Sequence, residues 1–587
     1  MIGKIVSIID NQVLVKLEID IYRYENLIGK NVFFNDNNNK IIGEILKIDN
    51  EICTISIVGE IIDNRFIYGD INKPSFSSTC NFITTAELDI MFGYTSSNNL
   101  EIGHSYIYNN YPIKIDVNTF FANHFAILGN SGSGKSYSVA KIFQSIFYDA
   151  KELPFKTNIF LFDAYGEYQQ AFTKIGENNE NINYKVLTTD LKNKNYDIIK
   201  TPFWLLGVDD ICLLLNITNQ IQIPIIEKAL KLVRFFAIDE KEVLRGKNDI
   251  IARALLEIIF NGKSPNEIRN KLVSVLTKYN TSSLNLDIVL SKGGWSRTIR
   301  QCVFVDSEQK FADIEIVINY LETLLVDDIE LTLPNGDCKY TMEDFAVALE
   351  FALISENAMS DEYAYSYSNI LKVRLNALIN SDYAKYFEFD EYVNHEQYIR
   401  LLLTAKNGNK AQIINFNINY VDDRFAKTLV KIYSKLLFDY ITKNNKRASM
   451  PFHIVLEEAH RYVQNDSDVD LIGYNIFERI TKEGRKYGII LGLISQRPSE
   501  ISQTAISQCS NFLVFKLFHP ADLEFIKYVI SCSSDVIINK IKGLNPGTCL
   551  MYGSAFKLPT LAQIDPPNPA PLSSSCNINE TWYVKNN

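Results

Sequence analysis

The chain has 587 residues, with 59 Lys and Arg against 69 Asp and Glu, a formal net charge of −10 and a pI near 5.4. That length calls for about three or four structural units. The acidic balance excludes a protein that coats nucleic acid over its whole surface, although basic residues can still line one channel. No apolar run reaches the roughly 18 residues of a membrane span, and the opening Met-Ile-Gly-Lys-Ile-Val reads as a strand, not a signal peptide. Nine cysteines form no C-x-x-C pair and keep no ligand spacing with the six histidines. A reduced, cytoplasmic chain without structural zinc is expected.

Residues 1–90 read as short strands: Gly3 to Ile9, Gln12 to Leu17, Lys40 to Ile48 and Ile52 to Ile62, with the polar tract Asn35 to Lys40 as a hairpin loop. A small antiparallel β-barrel for assembly or partner docking is the expected form. Residues 91–204 turn to strands alternating with helices, the pattern of a parallel sheet covered by helices. Residues 205–405 carry helical periodicity (Asp209 to Leu215, Ile223 to Phe236, Ile250 to Asn261, Phe311 to Leu325, Met342 to Ile354, Ser366 to Ile379) and read as an insertion. Residues 406–557 resume the α/β domain with strands at Ala411 to Phe416, Phe452 to Leu456, Ile489 to Ser495 and Asn511 to Lys516. Residues 558–587 hold Pro559, Pro566, Pro567, Pro569 and Pro571, a density that resists helix and sheet interiors. They read as an extended tail packing on a neighbouring surface, with Trp582 and Tyr583 as anchors.

Chemistry concentrates first at Gly129-Asn130-Ser131-Gly132-Ser133-Gly134-Lys135-Ser136, between the strand His124 to Leu128 and a helix from Tyr137 to Tyr148. In such a loop backbone N–H groups turn toward phosphate oxygens, Lys135 brings charge to the β and γ phosphates, and the Ser136 hydroxyl suits Mg²⁺. The helix starting near Lys135, with Ser136 and Tyr137 in its first turn, adds its positive end. The strand Phe452 to Leu456 ends in Glu457 and Glu458 and reads as Walker B. Glu457 is the candidate metal-side acid and Glu458 the group that polarises the attacking water. The strand Phe160 to Asp163 leads into Gly166-Glu167-Tyr168, which brings Asp163 or Glu167 toward the γ-phosphate if that strand neighbours the loop. Arg485 and Lys486, exposed between two glycines, suit a finger acting on an adjacent protomer. Gln496, with Arg497 second, ends a strand where a nucleotide sensor belongs.

Together these segments resemble the HerA family of hexameric DNA translocases, relatives of FtsK among the RecA-like P-loop ATPases. The residues that carry the resemblance are His124, Gly129 to Ser136, Asp163 to Tyr168, Glu457 to His460, Glu483 to Lys486 and Ser495 to Glu500, in the family's order. It covers most of the chain, including the barrel, the insertion and the tail, which in the family braces an adjacent subunit. The resemblance implies a homohexameric ring that hydrolyses ATP between subunits and moves double-stranded DNA through its centre. Lys135 and Ser136 would bind phosphates and Mg²⁺, Glu457 and Glu458 form Walker B, Arg485 act in trans and Gln496 sense the nucleotide. The chain departs from P-loop enzymes generally in placing Glu457 where aspartate is commonest.

The leading expectation is therefore an ATP-driven duplex DNA translocase or helicase working with a nuclease or a sirtuin-like NAD-consuming effector docked on the barrel, in end processing or, from the Asn- and Ile-rich composition, bacterial antiphage defence. DNA binding is expected to be sequence-independent, with about 6 to 10 phosphate contacts and a loss of on the order of a thousandfold in affinity between low and moderate salt. Lys446, Arg447 and Lys482 are channel candidates. The alternatives are an ATP-stabilised scaffold that activates its effector without translocation, and a membrane-associated pump, against which the missing membrane span argues.

Overall fold

The computed structural model describes the chain apart from residues 25–26, 37–38, 70–71, 94–98, 109–110, 149–151, 178, 238–239, 327–337, 356–361, 465–467, 531–534, 574–577 and 583–587. It divides into two compact units, the first made of residues 1–197, 399–466 and 475–587, the second of residues 198–398 and 467–474.

The first unit opens with seven antiparallel strands: β1 (Gly3–Ile9), β2 (Gln12–Leu17), β3 (Asn31–Asp36), β4 (Asn39–Asp49), β5 (Ile52–Ile62), β6 (Arg65–Tyr68) and β7 (Thr79–Phe82). Their order is β2-β1-β7-β3-β4-β5-β6, and β2 also pairs with β5, so six strands close a barrel and β6 hangs on its edge. Alternation drives the closure: Val13, Val15, Val32, Phe34, Ile41, Ile45, Cys53 and Ile55 point into one core. The tract from Asn35 to Lys40 supplies the ends of β3 and β4, and its central Asn37 and Asn38 lie outside the described residues.

The same unit contains the α/β core. Its strands are β8 (Asn99–Ser105), β9 (Pro112–Asp116), β10 (Phe125–Leu128), β11 (Ile159–Asp163), β12 (Tyr184–Thr188) and, past the two-residue β13 (Asp197–Ile198) and the second unit's hairpin β14 (Val289–Lys292) and β15 (Trp295–Thr298), β16 (Ile413–Asn417), β17 (Phe452–Leu456), β18 (Ile489–Ser495), β19 (Asn511–Val514), β20 (Thr548–Gly553) and β21 (Thr560–Ile564). They run in the order β12-β16-β11-β17-β18-β10-β19-β20-β21-β8-β9. The pairings from β12 to β19 are parallel and those from β19 to β9 antiparallel. Strands β10, β11, β16, β17 and β18 are buried at every position, as a sheet covered on both faces requires.

Two sequence expectations change here. The strand ending in Asp163 does not neighbour the phosphate-loop strand, because β17 and β18 lie between β11 and β10. The start of the proline-rich segment is part of the core: Thr560–Ile564 joins the chain's own sheet between β20 and β8 before the prolines cluster. Trp582 is 73% exposed, and Tyr583 lies outside the described residues.

The second unit is mainly helical, with Val208–Leu214, Gln222–Ala237, Glu240–Asn261, Pro265–Lys278, Ile314–Thr323, Met342–Ser355 and Glu362–Ile379 as its longer elements and β14–β15 as a Gly-Gly hairpin. No described helix is long and apolar enough to cross a membrane.

Candidate nucleotide site

Parallel strands deliver their last residues to one edge, and the sequence places its chemistry there. Leu128 of β10 pairs in register with Ser495 of β18, and Leu456 of β17 with Leu493 of β18 and Phe162 of β11. The loop after β10, the acids after β17, the polar end of β18 and the turn after β11 therefore meet.

The loop from Gly129 to Gly134 is held by its neighbours. Gly129 N–H donates to Ser495 O, Asn130 N–H to Lys516 O, and Gly547 N–H to Ser133 O at 2.8 Å. Gly132 adopts φ +70° with open space around it, and Gly134 adopts φ +106° where an added Cβ would come within 2.7–2.8 Å of the Gly547 backbone. Both positions demand glycine, the first for conformation and the second for contact as well. The helix Lys135–Tyr148 starts directly from this loop. Lys135 is buried, its Nζ donates to Asn130 O at 2.9 Å, and burial lowers its pKa while Glu458, Glu457 and Glu167 oppose that shift.

A cavity of about 520 Å³ opens above the loop, lined by Ser131, Gly132, Gly134, Lys135, Ser136, Tyr137, Tyr165, Glu167, Glu457, Glu458, Ile494, Gln496 and Ser573. Of the residues singled out in the sequence, Lys135, Ser136, Tyr137, Glu167, Glu457, Glu458 and Gln496 thus share one space. Glu458 sits in the left-handed region at φ +50°, ψ +47°, a strained conformation for a residue with a side chain. Gln496 Nε2 donates to Glu458 Oε1. Glu167 Oε2 is a buried acceptor without a hydrogen-bond donor among the described residues, and Glu458 Oε2 is buried beside the His460 imidazole. Burial pushes the Glu167 carboxyl up, opposed by a hydrogen bond from Ser136.

Glu457 turns inward. Its Oε2 accepts from Ala164 N–H at 3.2 Å, and burial, reinforced by Asp163, Glu167 and Glu458, drives its pKa well above the ordinary carboxyl value. Asp163 is fully buried beside it, with its own pKa raised by burial against the hydrogen bonds it accepts. Those come from Glu167 N–H (3.0 Å), Tyr168 N–H (2.9 Å) and Asn415 Nδ2 (3.3 Å). Asp163 therefore organises the turn that carries Glu167 and does not line the cavity itself.

His460 extends the site beyond the residues given roles from the sequence. Its Nδ1 lies 3.3 Å from Glu458 Oε2 and 3.1 Å from Ser495 Oγ, and burial lowers its pKa against the pull of Glu458. The signal was present in the Glu-Glu-Ala-His run, since a short helical turn after the acids folds the imidazole back over them.

Arg485 lies elsewhere. It precedes β18, at the opposite end of the strands from the chain's own cavity, and its Nη1 donates to Asn123 Oδ1 at 2.8 Å. The five residues before it form a π-helical turn, Ile480–Gly484. Arg447 lies over the Tyr487 ring on the same edge, and Lys482 pairs with Glu478 at 3.4 Å. Arg497 is turned out to Glu500 at 2.9 Å and does not line the cavity.

The donor set fits a magnesium nucleotide. The Ser136 hydroxyl and an acidic wall stand beside the loop, and among the described residues no group of three or more His, Cys, Asp or Glu side chains could hold a metal by itself. A cation held jointly by phosphate oxygens, water and one or two protein groups matches that arrangement.

A glycine-rich loop feeding a helix from a buried parallel strand, with paired acids one strand removed, defines a P-loop ATPase of RecA-like architecture. Residues 100–291 match the family model of the helicase HerA central domain. The chain is 23% identical over 529 residues to the DNA double-strand break repair helicase HerA of Pyrococcus furiosus, covering 89% of this chain and 79% of the relative. It is 24% identical over 508 residues to the protein of the same name from Saccharolobus solfataricus, covering 86% and 75%. Among solved structures it is similar to VirB4 of Thermoanaerobacter pseudethanolicus at 12% identity and a TM-score of 0.41, covering 80% of this chain and 97% of that one. The chain is a P-loop ATPase similar to the HerA helicases.

Proposed function

We propose that the chain is an ATP-driven translocase of double-stranded DNA that works as a homohexameric ring, with each nucleotide bound by one subunit and contacted by Arg485 of the next. The observation that carries this reading is the split of the catalytic set across the sheet. Lys135, Ser136, Glu457, Glu458 and Gln496 border one cavity, whereas Arg485 sits on the opposite edge. In this reading the loop amides and Lys135 hold the phosphates, and Ser136 and Glu457 address Mg²⁺, which supplies charge neutralisation at the β and γ phosphates. Glu458 orients and polarises the water, and Gln496 reports the state of the γ-phosphate to β18. Glu167 adds a second acid beside Ser136. The names of the relatives, repair helicases, support duplex DNA as the object moved.

The barrel is assigned to an effector, a nuclease or a sirtuin-like NAD-consuming protein, and its exposed Tyr22, Ile28 and Phe76 give such a partner apolar contacts. Antiphage defence is the biological setting proposed. Lower phage plating on cells carrying the wild-type chain, abolished by Lys135→Ala, supports it, and equal plating contradicts it.

The test of the core reading is the ATP hydrolysis rate of the purified protein with and without long duplex DNA. Hydrolysis stimulated by DNA and absent in Lys135→Ala is expected. Hydrolysis indifferent to DNA would contradict translocation.

A further inference from the structure

Gln144 lies on the phosphate-loop helix, 2% exposed, and its carboxamide serves three backbone groups. It donates to Ala171 O at 2.7 Å and to Pro569 O at 2.8 Å, and accepts from Asn568 N–H at 2.9 Å. The tail continues along the turn that carries Glu167. Gln170 Nε2 donates to Ala570 O at 3.0 Å, Leu572 N–H donates to Glu167 O at 2.7 Å, and Ser573 then borders the nucleotide cavity. On its inner side the same turn is held by the Asp163 carboxyl through the Glu167 and Tyr168 N–H groups. Glu167 is thus gripped from both sides, and its buried, donor-free Oε2 belongs to the cavity wall.

We infer that residues 568–573 form a strap on their own subunit's core that positions Glu167 for ATP hydrolysis, with Gln144 as its buckle. The sequence suits the task. Pro567, Pro569 and Pro571 fix φ at alternate steps, so little chain entropy is lost when the segment is held in place. The strap makes these hydrogen bonds with its own backbone atoms, so they depend on the path of the strap and not on its side chains. Gln144 and the strap touch no reacting atom; they act through Glu167. Because Gln144 shares a helix with Lys135, displacement of the strap is felt by the phosphate loop and the acid together.

This inference rests on the assignment of the cavity as the ATP site, so the wild-type chain is measured first for ATP binding and hydrolysis. Failure there would overturn that assignment, whatever the strap does. Leu572→Pro then removes the N–H that reaches Glu167 O, while Leu572→Ala keeps it. Loss of one such hydrogen bond is expected to lower kcat by about fivefold with the ATP Kd little changed. Leu572→Ala should restore the wild-type rate. In a Glu167→Gln background Leu572→Pro should add nothing, since the group being positioned is already gone. A chain ending at Pro571 gives the same comparison if the proline variant does not fold. Wild-type kcat in Leu572→Pro, or an equal further loss in the Glu167→Gln background, would overturn the strap.

Discussion

The two edges of the central sheet differ in almost every physical respect. Where β10, β17 and β18 end, side chains are buried, acidic and convergent, and Lys135 is the cation that meets Glu167, Glu457 and Glu458. Where the same strands begin, Lys443, Lys446, Arg447, Lys482, Arg485 and Lys486 are all exposed. One edge is short of positive charge and the other offers it to solvent. A phosphate chain would deepen that shortage; in the proposed ring Mg²⁺ would offset part of it and the basic edge of another subunit the rest. The comparison teaches why the proposed ring would place half of the catalytic site at each end of the strands: hydrolysis and assembly would then become one event.

The strongest way to break this picture is at the acidic edge. Glu458→Gln should lower hydrolysis by on the order of a thousandfold while ATP binding persists, read by steady-state turnover beside equilibrium nucleotide binding. Retained turnover would remove Glu458 from the water-polarising role. At the basic edge, Arg485→Ala should lower kcat by roughly a thousandfold with nucleotide affinity intact, because the guanidinium stands at the far end of its own subunit's strands. A parallel loss of affinity in isolated subunits would place it at the chain's own nucleotide instead.

Smaller effects sharpen the contrast. Gly134→Ala sets a Cβ against the Gly547 backbone at a positive φ and should cost about 1–3 kcal/mol in stability, read as a lower Tm together with weaker ATP binding. The buried pair Asp163 and Glu457 predicts a pH effect. Both folded-state pKa values lie above the unfolded ones through burial, so the pair's contribution to stability is complete below the ordinary carboxyl range and is lost as pH rises through the folded values. Asp163→Asn removes one of the two buried charges. Its nucleotide-free Tm should therefore fall less than the wild type's between about pH 5 and about pH 8, and identical slopes would contradict the pairing. Lys446→Ala or Arg447→Ala should reduce the slope of log affinity for duplex DNA against log salt by about one each, and an unchanged slope would take that residue off the DNA path.

Much of the site was legible because it is contiguous in sequence. The phosphate loop, Glu457–Glu458 and Gln496 each follow a short apolar strand, and parallel strands bring such ends together without further information. The helices of the second unit were legible from periodicity, with ends displaced by a few residues: Ile250 to Asn261 proves to be the C-terminal half of Glu240–Asn261. What depended on strand order was not legible. Asp163 pairs with Glu457 because β11 lies beside β17, and local pattern contains no record of that neighbour. Strand β21 was hidden by flanking prolines, since its five residues are held by pairing with β20 and β8 and not by propensity. The bond from Leu572 to Glu167 joins positions 405 apart through backbone atoms, which composition cannot encode.

The most direct test of the divided site is complementation. Lys135→Ala lacks a working cavity and Arg485→Ala lacks the basic edge, so each alone should be inactive. When the two chains are co-expressed and purified through different tags, interfaces that join an intact cavity to an intact Arg485 should form, and DNA-stimulated ATP hydrolysis should return in part. Mixed assemblies that stay as inactive as either parent would show that both halves of the site belong to one chain, and would contradict the account.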